Sequence, residues 1–155
     1  MRKQIIRKDE ILKINGKKNI HFLNPNAVRI DKSLGDLVGL EGIGFHIIEV
    51  PMGKESTEYH AHQFENECVY ILHGEAEVII GEESFQVSEG DFIAYPAKGL
   101  AHTMKNIGDD TLRCIVVGER LAHDVCDYPK KRKRLYINHG QPWELVDHDN
   151  ITVLK

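Results

Sequence analysis

The 155-residue chain has only three cysteines, one tryptophan and five prolines, and none of its apolar runs is long. Each scarcity excludes something. Cys68, Cys114 and Cys126 are odd in number and lack C-x-x-C spacing, which argues against a disulfide framework or a thiolate zinc site and favours a reducing compartment. Cys68 and Cys114 sit inside apolar runs and are read as small buried hydrophobes. No run approaches the roughly 20 apolar residues of a spanning helix, so no membrane partner is expected. The opening MRKQIIRKDEILKING is basic but has no apolar stretch of the kind a secretory signal needs, and the cytoplasm is expected by elimination. Excess positive charge is missing too: the net charge is -4, and no nucleic-acid partner is expected. The one basic run, Lys130 to Arg134, reads as a solvated loop, because no aromatic interleaving accompanies it.

What is present is a globular balance, 41% hydrophobic and 28% charged, sufficient for one domain with a core. From Gly42 the chain turns to short runs rich in β-branched and aromatic residues. Gly44–Val50, Cys68–His73, Ala76–Ile80, Ser84–Val87, Asp91–Tyr95, His102–Ile107 and Leu112–Val117 each suit a strand. Turn residues separate them, among them His73-Gly74-Glu75, Gly81-Glu82-Glu83 and Ser88-Glu89-Gly90. Closely spaced strands without intervening helical patterns indicate an all-β sandwich or barrel. Residues 1–41 read as an N-terminal extension packing on it, 42–118 as the strand-rich domain, and 119–155 as a C-terminal extension. The last of these carries Trp143 in a segment, Pro142 to Val146, too apolar for a loose tail.

Two histidine constellations stand out. His60-Ala61-His62 is followed by Glu67; in an extended segment His60 and His62 share one face while Ala61 takes the other. A reversal through Gln63-Phe64-Glu65-Asn66 can return Glu67 to the same place. Two imidazoles and a carboxylate suit Zn, Fe, Ni or Mn rather than Ca or Mg. The second constellation runs from Gly90 through Pro96 and Gly99 to His102 and Asn106.

On these residues the chain resembles the cupin superfamily. The first cupin motif, G-x5-H-x-H-x3,4-E-x6-G, is met by His60, His62, Glu67 and Gly74, with Gly53 one residue farther upstream. The second, G-x5-P-x-G-x2-H-x3-N, is met by Gly90, Pro96, Gly99, His102 and Asn106, with Ala97 and Lys98 where one residue is usual. The resemblance implies a double-stranded β-helix, a jelly-roll barrel, whose mouth holds a divalent transition metal on His60, His62, Glu67 and His102. Three imidazoles and one carboxylate leave open coordination positions, as a catalytic or ligand-binding metal needs. The competing reading makes the histidines polar residues of a barrel rim and Glu67 a surface carboxylate. His46 lies on the face of its strand opposite Phe45 and Ile47, which a barrel can point inward, and is a candidate to support the ligands; Tyr59, Tyr70, Tyr95 and Met104 read as core or pocket lining.

Two functions remain open at this point. One is a metal-dependent enzyme of dioxygenase or isomerase type acting on a small polar or carboxylated molecule. The other is a non-catalytic small-molecule binding or sensor module. His46, Tyr59 and Glu65 are acid/base candidates by proximity in sequence alone. A homodimer is expected, because jelly rolls have edges to cover and the apolar N-terminal segment suits that task. The tail from about Tyr128 is expected to pack back on the barrel exterior or across the dimer, covering Trp143 and leaving Lys130–Arg134 in solvent.

Overall fold

The computed structural model describes residues 3–154. Every strand run read from the sequence between Gly44 and Val117 is a strand here, with ends shifted by a residue or two. They are β3 (Ile43–Val50), β5 (Glu67–His73), β6 (Glu75–Ile80), β7 (Glu83–Ser88), β8 (Phe92–Tyr95), β9 (His102–Asn106) and β10 (Leu112–Glu119). Six more strands or near-strands complete the order: β1 (Lys17–His21), β2 (Asn24–Ser33), the two-residue β4 (Ala61–His62), β11 (His123–Tyr128), β12 (Lys133–Asn138) and β13 (Glu144–Asp147). Short helices α1 (Lys8–Leu12) and α2 (Leu34–Val38) flank β1 and β2.

One wall is a six-stranded sheet in the order β1-β2-β3-β10-β5-β8. The other is made of a four-stranded sheet, β13-β12-β11-β4, and a three-stranded sheet, β7-β6-β9. Isolated pairing of His60 with His102 links these two smaller sheets. All strand ladders are antiparallel. This is the jelly-roll barrel that the motifs imply.

Period-two alternation fills the space between the walls. Ile48 and Val50 from β3, Val69 and Ile71 from β5, Ala76 and Val78 from β6, and Met104 from β9 point inward with Leu112, Cys114, Ile93 and Tyr95. Residues 17–33 are integral to the first wall: β2 pairs with β3 over Ile30 to Ser33 and carries β1 on its outer edge. The turn from β5 to β6 needs Gly74, whose φ of +92° is in the left-handed region and whose missing Cβ would lie 3.1 Å from Leu112 Cα.

The tail's strands build on the barrel, with Leu135 buried in a satellite core beside Cys126 and Tyr128. Trp143, however, is 63% exposed and is not buried by its own barrel. The basic run lies at the surface, with Lys130, Lys131 and Arg132 exposed, and it is also paired. Arg134 forks onto Asp127 through two bonds of 2.9 Å, Arg132 pairs with Asp149, Lys133 with Asp147, Lys131 lies 3.8 Å from Glu58, and Lys130 sits over the Tyr59 ring. The segment carries matching acids nearby, so its charge is met within the chain.

Asn106, the last residue of the second motif, is a strut. It is fully buried; its Nδ2 donates to Val50 O (2.9 Å) and Asp110 O (2.8 Å), and its Oδ1 accepts from Gly108 N (3.0 Å). Asn106→Ala removes three hydrogen bonds, the one to Val50 O fully buried, and is expected to lower stability by about 3 kcal/mol. Urea denaturation measures this; an unmoved midpoint would show the strut carries no stability.

Candidate metal centre

His60 and His62 reach the cavity from the short β4 segment, which is extended because it is clamped on both sides. His60 N donates to His102 O at 3.0 Å and His102 N to His60 O at 2.8 Å. His62 lies opposite Cys126 on β11, and Gln63 N donates to Val125 O. Glu67 opens β5, between Gly118 of β10 and Tyr95 of β8. His102 opens β9, its ring stacked on Tyr95 with centroids 3.5 Å apart. The turn before His102 absorbs the extra residue between Pro96 and Gly99: Lys98 takes the left-handed φ of 61° and donates its N–H to His62 O. Gly99 is needed for space, since a Cβ there would meet Pro96 O at 2.6 Å.

Each imidazole is oriented by its Nδ1. His60 Nδ1 donates to Glu58 O at 2.7 Å, His62 Nδ1 to Asp124 Oδ2 at 2.5 Å, and His102 Nδ1 faces Leu100 O at 3.3 Å. With those hydrogens committed, the three Nε2 lone pairs are the ones left for the cavity. His60 Nε2 and His62 Nε2 lie 3.1 Å apart, a contact that only a shared proton or a cation relieves. His102 Nε2 is sealed from solvent and has no hydrogen-bond partner among the described residues; the Glu67 carboxylate is 4.0 Å away. An orphaned nitrogen of this kind is costly in a protein interior unless something binds it. The donor set fits a divalent transition metal.

Electrostatics agree. Burial, reinforced by the charges of His102 and His62, holds His60 well below the usual histidine range, and burial takes His102 down to about 4. Both rings are therefore neutral at pH 7, the form a metal requires. Burial also pulls His62 down, but the Asp124 hydrogen bond and the Glu67 charge outweigh it and the net shift is upward. Burial raises Glu67, against the attraction of His62 and Arg29.

The structure thus brings His60, His62, Glu67 and His102 to one cavity of about 430 Å³. Of the acid/base candidates, Tyr59 is spent outside it: its hydroxyl donates to Gly81 O and Lys130 covers its ring. His46 binds Asp31 at 2.7 Å and meets Arg120 in an adjoining cavity, without touching a predicted ligand by a hydrogen bond. Glu65 lines that second cavity and accepts the Leu121 N–H. Sequence reading missed Asp124 and Cys126. Asp124 is fully buried, holding both His62 and the Phe64 N–H. Cys126 is no bland hydrophobe: its Sγ lies within 4.8 Å of donor nitrogens on His60 and His62, on the same side of the sheet. The alternation of Asp124, Cys126 and Tyr128 in HDVCDY was the available signal, the same period-two logic that picks out H-x-H.

Residues 46–118 match the family described as Cupin domain. The chain belongs to the cupin superfamily. Among solved structures it is similar to a protein of Acidithiobacillus ferrooxidans provisionally named a sugar phosphate isomerase, at 46% identity over 97% of this chain and 96% of that one, with a TM-score of 0.94. A cupin-superfamily sugar phosphate isomerase of Silicibacter pomeroyi has the same fold at 21% identity, covering 89% and 92% of the two chains with a TM-score of 0.79. An uncharacterised protein of Methanocaldococcus jannaschii is 34% identical over 109 residues, 70% of each chain. No helix among the described residues is long and apolar enough to cross a membrane.

Asp124→Asn keeps the shape but weakens the acceptor that orients His62. Affinity for a divalent metal, read by competition with a chromophoric chelator, is expected to fall roughly 10–100-fold with the fold intact. Unchanged affinity would show that Asp124 serves only the Phe64 turn.

Proposed function

We propose that this cupin holds one divalent transition metal on His60, His62, Glu67 and His102 and uses it to bind and isomerise a small polar molecule of the sugar phosphate class. The observation that carries this is the convergence of three imidazole Nε2 atoms on one cavity, one of them buried without a partner. A bound Zn, Fe, Ni or Mn ion would act as a Lewis acid on a carbonyl or hydroxyl oxygen. The chain supplies the rest. Arg29 lines both cavities; it makes one long ion pair, Nε to Asp31 at 3.8 Å, and its Nη1 lies 3.5 Å from Ser56 O, a loose arrangement from which the guanidinium fork can still serve a phosphate. Ile48, Val69, Tyr95 and Val116 exclude water from the donors. The substrate class rests on the likeness to the Acidithiobacillus protein, which spans nearly the whole of both chains.

A second reading has its own support. Among the residues lining the first cavity Glu67 is the sole carboxylate, and it is already a proposed ligand; Glu65, the nearest other carboxylate to His62 besides Asp124, opens to the second cavity instead. That favours capture or sensing of a small molecule without turnover.

Protein purified without chelator, analysed for metal and then incubated with aldose and ketose phosphates in D2O, separates the two by NMR. Interconversion with deuterium uptake is the expected result; binding without interconversion gives the second reading. His62→Ala should lose most of the metal and stay folded, because the barrel core is complete without it. Absence of metal from the wild-type protein under every loading condition would overturn both.

The proposal includes a homodimer in a reducing, cytoplasmic setting. β1 is an open sheet edge among the described residues, and Ile20 on it and Phe22 in the turn after it are each 57% exposed. All three cysteines are unpaired. Light scattering should give the mass of two chains; one chain at micromolar concentration and above would reject the dimer.

A further inference from the structure

The matched family region begins at residue 46, yet β1 sends a side chain into the cavity from well before it. The β1–β2 ladder slips between Ile20 and His21, so that His21 pairs with Asn24 rather than continuing the register. Slips of this kind re-aim the side chains around them. His21 lines the same cavity as His60, His62, Glu67 and His102. Its ring stacks on Phe22 at a centroid distance of 4.5 Å and meets the edge of Tyr128 at 5.4 Å.

The tautomer is fixed as well. His21 Nδ1 accepts the N–H of Leu23 at 3.2 Å, which puts the hydrogen of the neutral ring on Nε2. Burial, with the Arg29 charge, lowers its pKa to about 4, so the neutral ring is the form present at pH 7. Among the described residues Nε2 has no hydrogen-bond partner. A donor is thus held by two aromatic neighbours at the wall of a cavity whose other imidazoles present Nε2 lone pairs. The Leu23 contact accounts for Nδ1 but not for the Nε2–H.

We propose that His21 is a positioning residue of this site, its Nε2–H donating to an oxygen of the chelating, oxygen-rich molecule that the cavity takes. The inference rests on the metal-centre reading and adds to it a hydrogen-bond donor that no other lining imidazole can supply. Its reach is toward carbonyl, carboxylate or hydroxyl oxygens, and it discriminates against ligands that present only a donor there.

The test uses the full chain loaded with zinc and acetohydroxamate as an oxygen-chelating probe. His21→Phe keeps a ring and deletes the Nε2–H donor together with the Nδ1 acceptor of the Leu23 N–H; His21→Gln restores an N–H at a similar reach. The expected result by calorimetry is about tenfold weaker acetohydroxamate binding for His21→Phe, the loss of about one hydrogen bond. His21→Gln should recover most of it, with zinc stoichiometry and thermal midpoint alike in the two variants. Equal affinity in wild type and His21→Phe overturns the inference while leaving the metal centre standing. Failure to take up zinc instead removes the reading beneath it. Histidine 15N–1H spectra of the wild-type protein give a second measurement that needs no variant: a protonated Nε2 and bare Nδ1 on His21, with the Nε2–H signal moved by acetohydroxamate. The opposite tautomer, or a signal that acetohydroxamate leaves in place, overturns the proposal.

Discussion

His60 and His102 exchange two main-chain hydrogen bonds, of 3.0 and 2.8 Å, across a gap where no regular ladder runs. This pairing joins the β4 side of one small sheet to the β9 edge of another, and it sets the two histidine motifs face to face. The position of every donor follows from it. His62 is placed by β4 and held by β11, His102 by the start of β9, and Glu67 comes from the opposite wall on β5. The ring centroids of His60 and His102 are 4.6 Å apart because their backbones are bonded, not because the rings attract one another. Two imidazoles with lone pairs toward a common point repel, so the fold imposes an arrangement that a cation would then stabilise.

Burial sharpens that tension. Tyr95 lies flat on His102, and Val69, Met104 and Cys126 line the same cavity, which removes water from the nitrogens. Desolvation keeps His60 and His102 neutral at pH 7, and the Nδ1 acceptors Glu58 O, Asp124 and Leu100 O decide where the lone pairs go. Apolar packing and hydrogen bonding therefore act on different properties of the same rings: the first sets their charge, the second their direction.

The strands between Gly44 and Val117 were legible because they are apolar, β-branched and cut by glycine turns, signals that depend on neighbours in sequence. β1, β2, β12 and β13 were not, for a physical reason. KKNIH, NPNAVRIDKS, KRLYIN and ELVD are largely polar or partly exposed, and they are strands because β3, β11 and one another offer hydrogen bonds. Trp143 is not covered by its own barrel. A large apolar ring was expected to find cover on the barrel or across a dimer, and in the single chain it stands exposed at the edge of both cavities. The H-x-H spacing made its pair of candidates visible within three residues. Asp124 acts on His62 from a strand far away in the chain, and only the alternation in HDVCDY marks it.

The two cavities differ in character and meet at a shared wall. Arg29, Ile48, His62, Glu67, Val116, Ile137 and Trp143 line both. On one side lie aromatic rings and the histidine donors, including Phe22 and Tyr128; on the other lie ionisable groups, Asp31, His46, Glu65 and Arg120. A molecule bound as proposed would be sorted end from end, its chelating oxygens toward the imidazoles and any charged group toward Arg29. Orientation of this kind needs no moving part. It follows from the barrel placing Glu67 on one wall and the histidines on the other, with one arginine from β2 standing between the chambers.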